Sequence, residues 1–257
     1  MQPYIGITDF TSLAQVKKML AVFRRCKPRG SRRILHVGVM MSHKTLNGLS
    51  TKWANVFPPK EQIAEIFGLI KNEDPYYCLH YADYLGESSH LDLIRGLEFA
   101  GPWVKALQLD MIWPDPGMIA SAVHASRKQL EVIVQLGKNA LGEAGDDPDE
   151  ILKRLEDYEG VIHRVLLDRS MGQGLEMNAQ AFIPFVEAIK ARFPDWGIVV
   201  AGGLGPGKPS LIQPLLPVCP DLSIDAQGKL RPSGNAKDPI DWAMAETYLA
   251  EFLPVLA

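Results

Sequence analysis

Short apolar runs alternate along this chain with segments whose apolar residues recur every three or four positions, and the alternation repeats eight times. Strands read over residues 3–8, 34–41, 76–82, 104–112, 129–136, 161–168, 198–201 and 221–225. Helices read over residues 11–25, 59–71, 89–100, from Asp115-Pro116 onward, 147–158, 178–193, a short proline-rich stretch at 210–216, and from Asp238-Pro239 to about 253. Each Asp-Pro sets a capping carboxylate before a proline whose fixed φ suits a first helical turn. Asp147-Pro148-Asp149-Glu150 reads as a capping box. A strand that is followed by a helix returns by a crossover and pairs in parallel. Eight such units close into a (β/α)8 TIM barrel, one α/β domain over residues 1–257. The competing open doubly wound sheet carries a Gly-x-Gly-x-x-Gly turn after its first strand, and this chain has none.

Composition narrows the function classes. A formal net charge of −3 gives no long-range attraction to nucleic acid. The basic stretch at residues 24–33 joins a helix to the next strand. It therefore falls on the face opposite a barrel's active site and reads as a solvated loop. Cys26, Cys78 and Cys219 are far apart with no Cys-x-x-Cys pair, which argues against a disulfide framework or a structural zinc and for a reducing, cytoplasmic setting. No apolar run is long enough to span a bilayer, and no signal pattern opens the chain. The expected partner is a small phosphorylated metabolite, with no metal, cofactor, nucleic acid or membrane; the oligomeric state stays open.

In a barrel, the chemistry sits at the carboxyl ends of the strands, and side chains alternate between the interior and the helices. Strand four separates Leu107 and Leu109 from Gln108 and Asp110. Strand five separates Val132, Val134 and Leu136 from Ile133 and Gln135. Strand six separates Val165 and Leu167 from Leu166 and Asp168, and strand three sets Leu79 against Cys78 and His80. The aliphatic sets face the helices, so Asp110, Gln135, Asp168 and His80 converge on the mouth. One such residue alone reads as a satisfied core polar group; four strands in agreement read as a site. Two carboxylates held close have pKa values pushed apart, which suits acid–base work, and His80 is a further candidate proton donor. Lys138, just past strand five, is the Schiff-base candidate.

The seventh strand ends in Ala201-Gly202-Gly203-Leu204-Gly205-Pro206. Two glycines let the backbone turn sharply and approach a ligand. With Pro206 in the first turn of a following helix, exposed N–H groups and the helix dipole would together seat a phosphate at Gly202 and Gly203. The same residues also read as a plain strand-to-helix turn. The segments at residues 42–59 and 137–146 are long enough to serve as substrate loops, and Trp53 and Trp113 are candidates to stack on an aromatic ligand.

Leu166-Leu167-Asp168-Arg169-Ser170-Met171-Gly172-Gln173-Gly174 resembles the strand-six segment of phosphoribosylanthranilate isomerases. The Gly202-Gly203 turn resembles that family's phosphate turn, and Ser223-Ile224-Asp225-Ala226-Gln227-Gly228 stands where the family has its second phosphate loop. The opening Tyr4-Ile5-Gly6-Ile7-Thr8, Gln108-Leu109 and Lys237-Asp238-Pro239 fit the same pattern. The resemblance implies a tryptophan-biosynthesis-like Amadori rearrangement. Asp168 would be the general acid, and Gly202, Gly203, Ala226 and Gln227 would bind the phosphate. The family's catalytic cysteine is replaced by Ile5, so the base would fall to Asp110 or His80. Three functions stay open: an isomerase of a phosphorylated sugar or aminosugar, a lyase or aldolase on a phosphorylated substrate, and a barrel that binds a phosphorylated ligand without turning it over.

Overall fold

The computed structural model describes residues 1–54, 56–73, 75–170 and 176–257. Eight strands, β1 (Tyr4–Thr8), β2 (Ile34–Ser42), β3 (Tyr76–Asp83), β4 (Ala106–Met111), β5 (Glu131–Gly137), β6 (Arg164–Asp168), β7 (Gly197–Ala201) and β8 (Ser223–Ala226), form a closed barrel in sequence order. All pairings are parallel, and the ring closes where Ile5, Gly6 and Ile7 of β1 meet Ile224, Asp225 and Ala226 of β8. The alternation read from the sequence holds. Ile7, Val37, Leu79, Leu107, Val134, Val165, Val200 and Ile224 enter the large core between sheet and helices, whereas Tyr4, Tyr76, Cys78, Ala106, Ile133, Leu166 and Val199 pack inside the barrel.

The surrounding helices are α1 (Leu13–Cys26), α2 (His43–Leu46), α3 (Ile63–Ile66), α4 (His90–Phe99), α5 (Pro116–Ser126), α6 (Lys138–Glu143), α7 (Pro148–Glu156), α8 (Ala179–Arg192) and α9 (Trp242–Val255). Most starts follow the capping chemistry of the sequence. Ser12 and Ser89 make reciprocal boxes with Gln15 and Asp92, and Asp115 accepts from the Met118 N–H ahead of Pro116.

Several expectations are corrected. The helix expected at 59–71 is a 3-10 turn (Lys60–Gln62) and the single turn of α3, because the chain bends at Gly68, whose carbonyl accepts from the Tyr77 hydroxyl. Asp147 caps the Asp149 N–H without a box, since Glu150 is engaged with Arg154. The segment after β7 is a 3-10 helix, Pro209–Leu215, with Pro214 inside it. Proline has no N–H for an α-helical ladder. Pro206 lies before that helix, so no α-helix dipole points at the Gly202-Gly203 turn. The last helix is capped by Asp241 and not by Asp238. The Asp238 carboxylate takes the Ser233 hydroxyl and its carbonyl takes the Arg231 guanidinium, which keeps that segment out of the helix. The basic stretch is not wholly solvated either. Arg33 is buried and donates to the carbonyls of Leu256, Leu222 and Pro220.

The amino end of the barrel is plugged by Arg164. Its guanidinium bonds Glu131 at 2.7 Å and the Gln2 carbonyl at 2.9 Å, and it lies over the rings of Tyr4 and Tyr76. The space it fills exists because Gly197 has no side chain; a Cβ there would stand 3.0 Å from Arg164 Cγ. Gly38 makes the corresponding room near the other end, where a Cβ would stand 2.5 Å from Thr8 Oγ1 and 3.1 Å from the Thr8 Cα. The Thr8 hydroxyl is tied to Asp225 and its Cα belongs to the neighbouring strand, so neither can yield cheaply. Gly38→Ala is therefore expected to destabilise the fold by about 1–3 kcal/mol, read as a lower urea midpoint with an unchanged slope.

Candidate active site

The carboxyl ends of the strands open onto a cavity of about 530 Å³. Its interior carries His80, Gln108, Asp110, Gln135 and Asp168, joined by Thr8 and Asp225. The four side chains that alternation sends to the mouth do meet there. Tyr84 donates its hydroxyl to Asp110 Oδ2. His80 Nε2 lies 3.8 Å from the same oxygen. The Gln108 amide reaches His80 Nδ1 at 3.2 Å and donates to Gln135 at 2.9 Å. Gln135 in turn approaches Asp168 Oδ2 at 3.4 Å. A polar belt thus runs across β3, β4, β5 and β6, with β4 supplying two links, Gln108 and Asp110, and each other strand one.

Asp168 is the most elaborately held member. Its Oδ1 accepts both the Ser170 N–H at 2.7 Å and the Ser170 hydroxyl at 2.6 Å. Burial raises its pKa above the ordinary carboxylate range, and the Ser170 bonds pull against that rise. Asp110 adds a smaller upward push. The glycine-rich turn expected after this strand, Met171-Gly172-Gln173-Gly174, lies outside the described residues.

Beside Asp168, at the end of β7, Gly202 and Gly203 adopt φ of 117° and 70°, so this turn requires glycine. Ala201, Ala226 and Gln227 line the wall beside it, and Gln227 is fixed by donating to Asp9 at 3.0 Å. Lys229, on a short 3-10 turn just after β8, adds a cation to this wall. Nothing in the sequence marked it, since its position depends on how that turn folds back. Arg231 holds the turn in place: it donates to the Gln227 carbonyl at 2.5 Å and pairs with Asp9.

The long segment after β2 does form part of the cavity, with Ser42, Lys44, Lys52, Trp53 and Phe57 on its lining. Trp53 stacks on Phe57, with ring centroids 5.7 Å apart. The segment after β5 does not: it folds as α6, Lys138 is exposed, and neither lines the cavity. Trp113 is likewise a packing residue, its ring against Tyr158 and its Nε1 on the Ala140 carbonyl.

Alternation in so short a strand also passed over Asp225 on β8. It is buried, it lines the cavity, and its Oδ2 accepts from the Thr8 hydroxyl at 2.8 Å. Burial pushes its carboxyl up to about 6, eased by the His80 charge and the Thr8 bond. Beneath it, His36 is fully buried, and burial pushes its pKa down to about 3, so it is neutral. Among the described residues, no group of three or more His, Cys, Asp or Glu side chains forms a metal-ligand cluster, and no helix is long and apolar enough to cross a membrane.

No family model and no curated protein matches the chain. Its resemblance is to solved structures. Phosphonopyruvate hydrolase shares 14% identity over 88% of this chain and 74% of that one, with a TM-score of 0.51. Active domain 2 of the thermostable chitinase from Pyrococcus furiosus shares 14% identity over 100% and 96%, with a TM-score of 0.56. The carboxyl transferase domain of Rhizobium etli pyruvate carboxylase shares 10% identity over 99% of this chain and 47% of that one, with a TM-score of 0.57. These likenesses show a common barrel fold. They overturn the expected membership of the phosphoribosylanthranilate isomerases, because the barrels this chain resembles are of other kinds. The geometry gives a physical reason as well. Ile5, which the resemblance set in the place of the catalytic base, packs in the layer between sheet and helices. On β1 the interior belongs instead to Tyr4, Gly6 and Thr8, so no side chain at position 5 reaches the cavity.

The raised Asp225 pKa carries a stability consequence. A carboxyl whose folded pKa exceeds its unfolded one favours folding fully below the unfolded pKa and loses that contribution as pH rises through the folded one. For Asp225 the window runs from the ordinary aspartate value of 3.8 to about 6. Wild-type stability is expected to fall relative to Asp225→Asn across this window, by on the order of 3 kcal/mol, when urea unfolding of both is measured at several pH values.

Proposed function

We propose that this chain is a lyase acting on a small phosphorylated substrate. Asp168 supplies the proton, and the phosphate is held by the turn at Gly202 and Gly203 with Ala226, Gln227 and Lys229. The observation that carries this reading is one cavity with a buried carboxyl on β6, its pKa raised by burial, and a cationic, glycine-lined wall beyond β7 and β8. The Tyr84–Asp110–His80 group fits a binding role. One Asp110 oxygen is already committed to the Tyr84 hydroxyl, and the Gln108 amide reaches both His80 nitrogens, so these side chains form a fixed polar wall against which a substrate oxygen can be positioned. A Schiff-base version through Lys138 loses its support, since that lysine is exposed and off the cavity. The enzymes whose barrels this chain resembles include one named for phosphonopyruvate and one for pyruvate. That supports phosphorylated and phosphono keto acids as the first compounds to try.

The test is a panel of such acids, phosphonopyruvate first, followed by phosphorus NMR. Asp168→Asn is expected to lower kcat by about 10²–10⁴-fold, the usual worth of a positioned acid, and to leave inorganic phosphate binding within about threefold. Lys229→Ala is expected to weaken inorganic phosphate binding about tenfold at low salt. Phosphate binding with no transformation of any panel member would overturn the lyase reading in favour of a barrel that only binds. Undiminished turnover by Asp168→Asn would remove Asp168 from the chemistry.

A further inference from the structure

Asp225 has no role in the reading above. We propose that Asp225 is the base of this site and works with Asp168 across the methyl group of Ala201; the proposal rests on the lyase reading and names its second catalytic residue. The register supplies the geometry. Asp168 pairs with Ala201 and Ala201 pairs with Asp225, so the two carboxyls stand at one level on the strands flanking β7, both facing the cavity. A methyl group is all that separates them on the strand between.

The two oxygens of Asp225 differ. Oδ2 is held by Thr8, while Oδ1 is buried with no hydrogen-bond partner. Oδ1 lies 3.9 Å from His36 Nδ1, which is also without a partner. The space beside them is the missing side chain of Gly6: a Cβ there would stand 2.6 Å from Oδ1 and 2.9 Å from His36 Nδ1. Oδ1 is thus closed off beneath the cavity by Gly6 and His36, which leaves Oδ2, beside the cavity-lining Thr8, as the oxygen that exchanges a proton with a ligand. His36 is stacked on Tyr4 with ring centroids 4.6 Å apart, so it is fixed and neutral below the carboxyl. The titratable groups facing Asp225 are Tyr4 and Asp9 from the β1 side, His36 from β2, Cys78 and His80 from β3 and Tyr248 from α9. Burial outweighs them all, and the proton comes and goes near pH 6.

The step is a retro-aldol cleavage of a phosphorylated β-hydroxy carbonyl compound. The Asp225 carboxylate takes the hydroxyl proton. The oxygen's electron pair forms the new carbonyl, the carbon–carbon bond breaks, and its pair passes to the adjacent carbonyl as an enolate. The Asp168 carboxyl then protonates the enolate carbon. Asp225 ends protonated and Asp168 ionised, and exchange with water restores both.

The full chain, labelled with 13C at aspartate carboxyls, tests the assignment before any turnover is measured. The resonance absent from Asp225→Asn is expected to titrate near pH 6 and to move on addition of inorganic phosphate. Titration in the ordinary carboxylate range with no response to phosphate overturns the proposal. With a phosphorylated keto acid that carries a hydroxyl β to its keto group, kcat/KM is expected to rise with pH through a limb near 6. Asp225→Asn is expected to lose about 10²–10⁴-fold and the limb with it. Thr8→Val removes a donor to the ionised form and is expected to move the limb up by about half a pH unit, with turnover kept within about tenfold; a purely structural role for Asp225 would leave the limb in place. If Asp168→Asn is inactive while a folded Asp225→Asn turns over normally, the lyase reading stands and this assignment falls.

Discussion

A barrel exists only if its last strand finds its first, and in this chain that closure rests on a narrow seam. β8 is four residues long and shares three register pairs with each neighbour. Backbone pairing that short needs reinforcement, and side chains supply it at every level. At the amino end the Tyr4 N–H donates to the Ser223 hydroxyl, and Arg33 clamps the carbonyls that enter β8 to the end of α9. At mid-height Thr8 bonds Asp225. At the carboxyl end the Arg231 guanidinium joins the end of β1, the turn after β8 and the approach to α9 through Asp9, Gln227 and Asp238. Burying an arginine is costly unless every donor is used. Arg33 directs its donors onto backbone carbonyls and Arg231 onto two carbonyls and the Asp9 carboxylate, and these bonds offset the desolvation cost.

The seam and the candidate site are the same place seen from two sides. Thr8 and Asp225 close the barrel and face the cavity, and the Asp9–Arg231 pair sets the turn that carries Gln227 and Lys229. Asp9 also holds φ at 91°, a conformation that costs a non-glycine residue energy and persists only where its surroundings enforce it. Here the enforcement is visible: the carboxylate is bound by Arg231 and Gln227, and the N–H donates to the Gly38 carbonyl. Strain of this kind fixes the relative position of the two walls of the cavity and leaves little freedom for the turn after β8.

Much of this was legible in the sequence. Period-two alternation assigned Gln108, Asp110, Gln135, Asp168 and His80 to the interior because their strands are long enough to show a face. β8 is too short for that, and Asp225 sat in it as one polar residue among few. Arg33 was hidden for the opposite reason. It lies within a basic run, and a run of charge looks solvated unless the carbonyls that bury one member are known, here those of residues more than 180 positions away. Asp238 and Asp241 are both plausible caps, and only the Arg231 contact decides between them. The resemblance to one enzyme family rested on short turns, which report what a backbone must do near a ligand and say little about which side chains stand opposite.

The cavity is chemically two-sided, and this bears on the order of events in it. Met40, Trp53, Phe57 and Ala82 form a small apolar cluster at the mouth beyond β2 and β3, and the carboxyls lie deeper, between β4 and β8. A ligand that brings a phosphate to Lys229 and the Gly202-Gly203 turn places a dianion beside Asp168 and Asp225. Like charge disfavours their ionised forms and raises their pKa values further, and water displaced from the apolar side lowers the local dielectric and strengthens the effect. Binding therefore favours the protonated form of Asp168, which a proton donor requires, and it opposes ionisation of Asp225, which a base requires. The Thr8 hydroxyl and the nearby His80 counter that opposition at Asp225, as the two Ser170 bonds and His80 counter the rise at Asp168.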